Sequence, residues 1–371
     1  LLSIWFFHVL AVLQIGLFRR LGFDIGGADY LTSIDPIVGW QSFGGMIVFV
    51  FWGLWAARDH LKLVFQKAFY RTNQPDDSNE LMSYRTAVWL LAISGCYLLF
   101  FLYQAGMGFG TLLAFWFATL VLYLGLARII VESGLVFLRG TLTAQAFVWH
   151  VLGVTGMGPF GATALGLTYT FFCDAKTFGI TALAHVPRLS LAMESKNRRA
   201  LVPVVLVGCL LGAATVIGFT LYQGYHVVGS YNFGVVSFNG SSDSAVGIWT
   251  HTSNRIGGNV LGTDWRRIRF LGIGAIFTTL LFYIRYRFPG FPIHPIGFTI
   301  SSSSPLRSSA SSIFVTWLIK TVIMKLGGLE LYRKIAPFFL GLMAGQLAGL
   351  ALGLMADIIW FPGQGHQLNR W

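Results

Sequence analysis

Apolar stretches about 20 residues long recur along the whole chain, and this is the length that an α-helix needs to cross a bilayer. Of the 371 residues, 55% are hydrophobic and only 11% are charged, whereas a soluble domain carries about 25% charged residues. In lipid, such segments must satisfy their backbone hydrogen bonds internally, as a helix does. The sequence therefore predicts an all-α polytopic membrane protein with about ten membrane-inserted helices, some of them broken or re-entrant.

The apolar stretches fall into two groups, separated by a long polar segment rich in Gly, Ser and Asn. The first group is a transmembrane region over 1–222, the polar segment 223–268 is predicted to be an extracytoplasmic loop, and 269–371 is a C-terminal transmembrane region. The finer predictions are a cytoplasmic loop over 58–85, broken helices over 141–192, a Ser-rich broken segment over 292–312 and a glycine-rich helix over 336–358.

The net charge of +12 comes from basic residues that cluster beside apolar runs. Arg58, Lys62 and Lys67 follow one run, and Arg198 and Arg199 precede another. This is the distribution of cytoplasmic loops under the positive-inside rule. The charge therefore indicates contact with anionic lipid headgroups and not with nucleic acid.

Motifs of soluble enzymes are absent from the sequence. The eight histidines are scattered and the three cysteines have no paired spacing, so neither a metal site, a cofactor site nor a catalytic constellation is predicted. The chain also begins with Leu1, already inside an apolar run, and we expect that residues before it are missing.

Two apolar regions are interrupted by helix-breaking residues. The stretch VLGVTGMGPFGATALG, within 141–192, holds five glycines and a proline, and SSSSPLRSSASS covers 301–312. Broken helices at membrane depth persist only where protein or a watery cavity satisfies the freed backbone groups. Pro305 is predicted to prevent a regular helix through the serines. The Ser-rich segment fits a re-entrant binding site and a plain cytoplasmic loop equally well.

The candidate residues for binding a substrate or an ion lie in or near these broken regions. Each also has a structural interpretation: Glu132 can pair with Arg128 one helical turn away, and a lysine near a helix end can extend its amine to the interface. A lysine inside a span costs at least ~2.5 kcal/mol, which favours a polar interior for Lys320. The candidates are Glu132, Asp174, Lys176, Ser302, Ser303, Arg307 and Lys320.

Four glycines repeat at every fourth position in the last apolar run. Gly341, Gly345, Gly349 and Gly353 lie on one face of a helix, which lets a neighbouring helix approach closely. We call this face the glycine ladder. The pattern predicts helix packing, with a partner in the same chain or in another one.

Four ordered motifs near the C-terminus resemble the oligopeptide transporter family, and most closely its bacterial branch of uncharacterised members. The resemblance implies a secondary transporter with pseudo-repeated halves that imports peptides or metal chelates together with protons, and its bacterial branch implies a bacterial cytoplasmic membrane as the location. Members have about sixteen spans, so this chain corresponds to the C-terminal portion at ~20 residues a span. The motifs are HPIGFTIS (His294–Ser301), WLIK (Trp317–Lys320), KLGGLELYRK (Lys325–Lys334) and APFFLGLMAGQ (Ala336–Gln346).

Two functions from different classes follow. The first is a proton-coupled transporter of peptides or small organic solutes or metal chelates, with its site between the two broken regions. The alternative is a non-transporting subunit of a membrane complex, or a homo-oligomer, assembled through the glycine ladder. An enzyme is not expected.

Overall fold

The computed structural model describes residues 1–25, 35–70, 75–135, 138–169, 179, 183–191, 193, 198–227, 245–259 and 262–361. Within these ranges the chain is helical, and no β-strand is assigned. The helices are α1 (Leu2–Arg20), α2 (Pro36–Ala56), α3 (Arg58–Tyr70), α4 (Tyr84–Gln104), α5 (Phe109–Ser133), α6 (Ala144–Leu167), α7 (Val186–Ser190), α8 (Leu201–Tyr222), α9 (Ala245–Asn254), α10 (Trp265–Arg287), α11 (Ile296–Thr299) and α12 (Ser304–Trp360).

Seven helices among the described residues are long and apolar enough to cross a membrane, namely α1, α2, α4, α5, α8, α10 and α12. The all-α class is therefore confirmed, and the protein is an integral membrane protein. The count of about ten is not confirmed. One reason is that two segments predicted separately, 292–312 and 336–358, both contribute to the single 57-residue α12, which has a non-helical backbone only at Gly328.

Helix α2 lies at the centre of the bundle and packs most extensively against α10. Gln41 meets Gly274, Gly45 meets Thr278 and Phe49 meets Phe282, so the two helices run parallel. At Gly44 and Gly274 an added Cβ would collide with backbone atoms of the opposite helix. Absent side chains let helix backbones approach closely in a membrane, where packing replaces the hydrophobic effect. Glycines on both helices therefore set this contact.

Helices α1, α5 and α6 surround α2. Phe7 lies beside Phe277 and Phe18 beside Phe270, which makes α1 antiparallel to α10. Met46 fills the space at Gly125 of α5. The largest fully buried side chains include Trp40, Phe43, Phe115 and Trp149, which belong to one core cluster.

Helix α6 is interrupted, as the glycines and proline of 141–192 predict. Its backbone is non-helical at Gly153 (φ 66°) and at Gly158 (φ 71°), and Pro159 follows directly. Only glycine adopts these positive φ values readily, so both breaks are encoded locally. Most of 170–192 lies outside the described residues.

The region 58–85 contains α3 and a short ordered turn. Lys67 Nζ lies 3.0 Å from Asp77 Oδ1, and Arg198 and Arg199 donate to the carbonyls of Asn79 and Asp77 at 3.1 and 3.0 Å. Burial alone raises the pKa of Asp77, but hydrogen bonds from Lys67 and from the Tyr84 N–H bring this pKa below its usual value. The two basic stretches predicted to share the cytoplasmic side therefore touch.

Candidate functional site

The connection between α10 and α12, residues 288–303, runs into the centre of the bundle. The His294 N–H donates to Ser3 Oγ at 2.8 Å, beside the start of α1. At Gly297 an added Cβ would collide with the Ser3 carbonyl, so glycine allows the connection to lie directly on α1. Further in, Phe298 packs against Gly45 in the middle of α2. We call residues 288–303 the inserted segment.

Helix α12 then leads back toward the same end of α1. Its first turn is at Ser304, and ten residues later the Phe314 ring lies 4.5 Å from the Trp5 ring. The prediction that Pro305 interrupts a helix is wrong, because Pro305 lies in the first turn, where the missing N–H has no intrahelical partner to lose. Residues 304–312 of the predicted broken segment are therefore helical.

A second irregular stretch, 138–143, approaches from the end of α5 and leads into α6. Leu138, Thr141 and Leu142 are buried, and the Thr143 hydroxyl caps α6 by accepting the Ala146 N–H at 3.0 Å. Ser303 Oγ donates to the Arg139 carbonyl at 2.8 Å and so joins this stretch to the inserted segment. Two non-helical stretches thus meet in the interior, and each precedes a helix N-terminus.

The meeting point is a cluster of buried hydroxyl groups, which we call the serine junction: Ser42, Ser301, Ser302 and Ser303. The three consecutive serines are at most 1% exposed. Ser42 Oγ lies 3.0 Å from Ser301 Oγ and 3.5 Å from Ser302 Oγ. A hydroxyl can both donate and accept, so this group can bind donors or acceptors of a ligand without carrying charge.

His8 of α1 completes one side of the serine junction. Its Nδ1 lies 2.9 Å from the Ser301 carbonyl oxygen, and the histidine is only 5% exposed. A carbonyl can only accept, so this contact assigns the proton to Nδ1. His8 is thus an ionisable side chain in direct contact with the junction.

A cavity of about 220 Å³ borders the serine junction on the side of α1 and α10. Its polar groups are Ser301 and the amides of Gln14 and Gln41, which are hydrogen-bonded to each other at 3.0 Å. The rest of its wall is apolar and includes Phe7, Phe277 and Phe298.

The structure distributes the predicted site residues over several places. Ser302 and Ser303 lie in the serine junction, whereas Arg307 is exposed on α12. Lys320 is also exposed, with its amine 5.3 Å from the centre of the Tyr332 ring across the Gly328 kink. Asp174 and Lys176 lie outside the described residues.

Glu132 forms the ion pair that its spacing from Arg128 predicts. Arg128 Nε lies 2.6 Å from Glu132 Oε1, and the guanidinium also stacks over the Phe49 ring at 4.6 Å. Both charged side chains are about one-third exposed. The pair therefore lies at the rim of the bundle, away from the serine junction.

Three glycines of the ladder have open space around them within the described residues. An added Cβ at Gly341, Gly345 or Gly349 would have no other atom within 4 Å. Buried residues on α12 are limited to Leu306 and Ile313, both before the Gly328 kink. The packing partner predicted for the ladder is therefore not within the described part of this chain.

Several residues of the junction escaped the sequence analysis. His8, Ser42 and the Arg139 carbonyl are single polar groups in separate segments, 293, 259 and 164 residues from their serine partners. The sequence did contain one indication of their role. Each side chain is a single polar residue in an apolar span, and such residues often face the interior of the bundle. Described residues hold no cluster of three or more His, Cys, Asp or Glu side chains able to bind a metal.

The fold and the apolar helices define the class of this protein. It is an integral membrane protein of bundled helices, with non-helical stretches in the interior of the bundle. Comparison with known families identifies it further: the chain matches DUF6785, a family of unknown function, over residues 1–368 and belongs to that family. Searches of curated proteins and of solved structures found no match.

Proposed function

We propose that this protein is a secondary transporter whose solute site is the serine junction. The observation that carries the proposal is the contact of two non-helical stretches in the bundle interior, through Ser303 Oγ and the Arg139 carbonyl at 2.8 Å. Transporters bind solutes where interrupted helices expose backbone groups and helix N-termini near the bilayer midplane. Here α6 and α12 both begin beside the junction, and their N-termini carry partial positive charge.

The depth of the junction follows from its contacts with α2. Phe298 packs on Gly45, the tenth of the 21 residues of α2, so about 15 Å of helix lie on either side at 1.5 Å per residue. This is the midplane of a hydrocarbon core about 30 Å thick. The inserted segment enters from the α1 N-terminal end, and α12 leads back to that end. This geometry supports the re-entrant interpretation of the Ser-rich segment over the plain loop.

The arrangement corresponds to a closed state. Ser301 borders the cavity between α1 and α10, whereas Ser302 and Ser303 have no exposed surface, so a solute can reach these two serines only after the inserted segment separates from stretch 138–143. The Ser303–Arg139 hydrogen bond spans that boundary, and a single such bond contributes roughly 1 kcal/mol. The link can therefore break and re-form during a transport cycle.

The resemblance to oligopeptide transporters implies proton coupling and a substrate that is a peptide, a metal chelate or another small organic solute. In this proposal His8 carries the coupling proton, because it touches the Ser301 carbonyl, whereas Glu132 is already paired with Arg128. A second proton, on Nε2, would give the ring a positive charge while Nδ1 stays in contact with the Ser301 carbonyl.

The experiment is a proton-flux measurement in proteoliposomes. The full-length protein is reconstituted with a pH-sensitive dye inside, and small peptides, metal chelates and organic acids are added one at a time under an imposed proton gradient. We expect at least one class to acidify the lumen. Ser302→Ala combined with Ser303→Ala should lower the rate about tenfold, as expected for the loss of about 1.4 kcal/mol of hydrogen bonding.

The same Ser-rich segment provides a matched control. Ser308 and Ser309 donate to the Pro305 carbonyl within α12, at 3.0 and 2.7 Å, and are not part of the junction. Replacing both by Ala should leave the flux unchanged. Equal losses in the two double variants, or full activity in the junction variant, would remove the site assignment.

A second candidate is the non-transporting subunit, and the exposed helices favour it. Helix α8 has no buried residue, and neither does α12 beyond Gly328. A native complex isolated in mild detergent with another polypeptide on these helices, combined with no solute-dependent proton flux, would support this function over transport.

A further inference from the structure

We infer that the groove between α1 and α10 binds a phospholipid, with the phosphate at the arginines that begin α10 and an acyl chain along the apolar wall. Two cavities form this groove. One, of about 360 Å³, is lined by Phe23, Arg266, Arg269 and Phe270, and the other is the cavity of about 220 Å³ that ends at Ser301. Ile273 borders both cavities, so they lie next to each other along α10.

The groove has one charged end and one apolar end. Arg266 and Arg269 lie in the first turns of α10 at the charged end, and Arg19 and Arg20 end α1 nearby. From Ile273 inward the wall consists of Phe277, Leu10 and Phe7, and its polar groups are uncharged. The charged end of the groove thus matches a lipid headgroup, and the apolar end matches an acyl chain.

Acidic groups at the charged end do not cancel the arginines. Asp24 borders the cavity, and Asp264 lies 4.0 Å from Arg266 Nε, but Asp264 also pairs with the buried Arg267 at 3.1 Å. Asp35 caps α2 at the same end of the bundle. Five arginines and three aspartates thus lie at this end among the described residues, which leaves a net charge of +2. Arginine binds phosphate oxygens through several N–H groups at once, which suits a phosphodiester.

The dimensions and openness of the groove also fit a lipid. Arg269 and Phe277 are eight residues apart on α10, or about 12 Å, which lies within the ~15 Å half-thickness of the hydrocarbon core. Ile273 is 51% exposed and Leu10 is 42% exposed, so the groove is open toward the bilayer. A lipid can therefore enter sideways without opening of the bundle.

The test is lipid titration of delipidated protein in detergent, followed by native mass spectrometry. We expect the first molecule of phosphatidylglycerol to bind more tightly than any further lipid molecules. Arg266→Gln with Arg269→Gln should weaken this binding roughly thirtyfold, or about fivefold for each arginine near a membrane surface. Arg285→Gln with Arg287→Gln, at the other end of α10, is the matched control and should change nothing. Arg266→Lys with Arg269→Lys keeps both charges and should retain part of the affinity, and an unchanged unfolding temperature of the Gln variant shows that its loss of binding is not misfolding.

A second arm tests the acyl chain. Ile273→Trp should fill the space where the two cavities adjoin and weaken binding of phosphatidylglycerol, whereas glycerol phosphate, which has no chain, should not compete. Unchanged affinity in the Arg266/Arg269 glutamine variant, or displacement of the lipid by glycerol phosphate, would overturn the inference. The measurement involves no transport, so its outcome is independent of the proposed transport function.

Discussion

Two sets of glycines lie on apolar helices of this protein, and their environments are opposite. Gly44 and Gly274 hold α2 and α10 so close that an added Cβ on either would overlap the other backbone. Gly341, Gly345 and Gly349 form the more regular pattern, yet nothing lies within 4 Å of an added Cβ there. Spacing thus identifies a helix face that another helix can approach, but it does not show where in the fold that approach occurs.

The largest effect is expected where two backbones touch. Gly274→Val would force α10 away from the Gln41 carbonyl, and overpacking of rigid backbone costs more than the roughly 1–3 kcal/mol typical of core side chains. We expect little folded protein, measured as the monodisperse yield in detergent and the unfolding temperature.

Gly272→Val is the matched control on the same helix, because an added Cβ at Gly272 meets nothing within 4 Å. It should behave like the wild type. Equal stability of the two variants would contradict the close contact between α2 and α10.

A smaller effect is expected at the inserted segment. Gly297→Ala would place a methyl group against the Ser3 carbonyl, and the segment should shift outward at a cost of about 1–3 kcal/mol while the bundle persists. Hydrogen exchange should rise in residues 294–303 and not in α2. Gly290→Ala, in open space, serves as the control, and equal exchange in the two variants would contradict the contact with α1.

Loss of one hydrogen bond at the serine junction should matter less for stability. Ser303→Ala removes the donor to the Arg139 carbonyl, at a cost of about 0.5–1.5 kcal/mol, the usual net contribution of one hydrogen bond. The measurement is the thermal stability of the purified protein, with Ser308→Ala as the control. No difference between them would show that the junction contact is weak.

The smallest effect on the isolated chain is expected at the glycine ladder. Gly345→Val should change the stability of the monomer by no more than about 0.5 kcal/mol, because the site is exposed. If the ladder packs against another chain, the same change should abolish that association, as seen by size-exclusion chromatography with light scattering. A strong loss of monomer stability would instead place its partner within this chain.

Part of the site could be predicted from the sequence. The positive φ at Gly153 and Gly158 and the uncommon serine run are local features, so the two interrupted regions were found. The prediction for Pro305 was wrong because the sequence does not show whether a proline lies in the middle of a helix or in its first turn. The start of α12 at Ser304 puts Pro305 in the first turn. His8 and Ser42 were missed, since their partners lie more than 250 residues away.

The sequence by itself determined that this is a helical membrane protein, because the length of an apolar run and the cost of an unpaired backbone in lipid are local quantities. It also located the glycines and serines that allow unusual backbone. The tertiary structure alone decided which glycines are in contact and that Ser303 meets the Arg139 carbonyl. Lipid solvates all apolar segments about equally well. The arrangement of the helices in the bundle therefore depends on side-chain shape and on single polar contacts between distant residues.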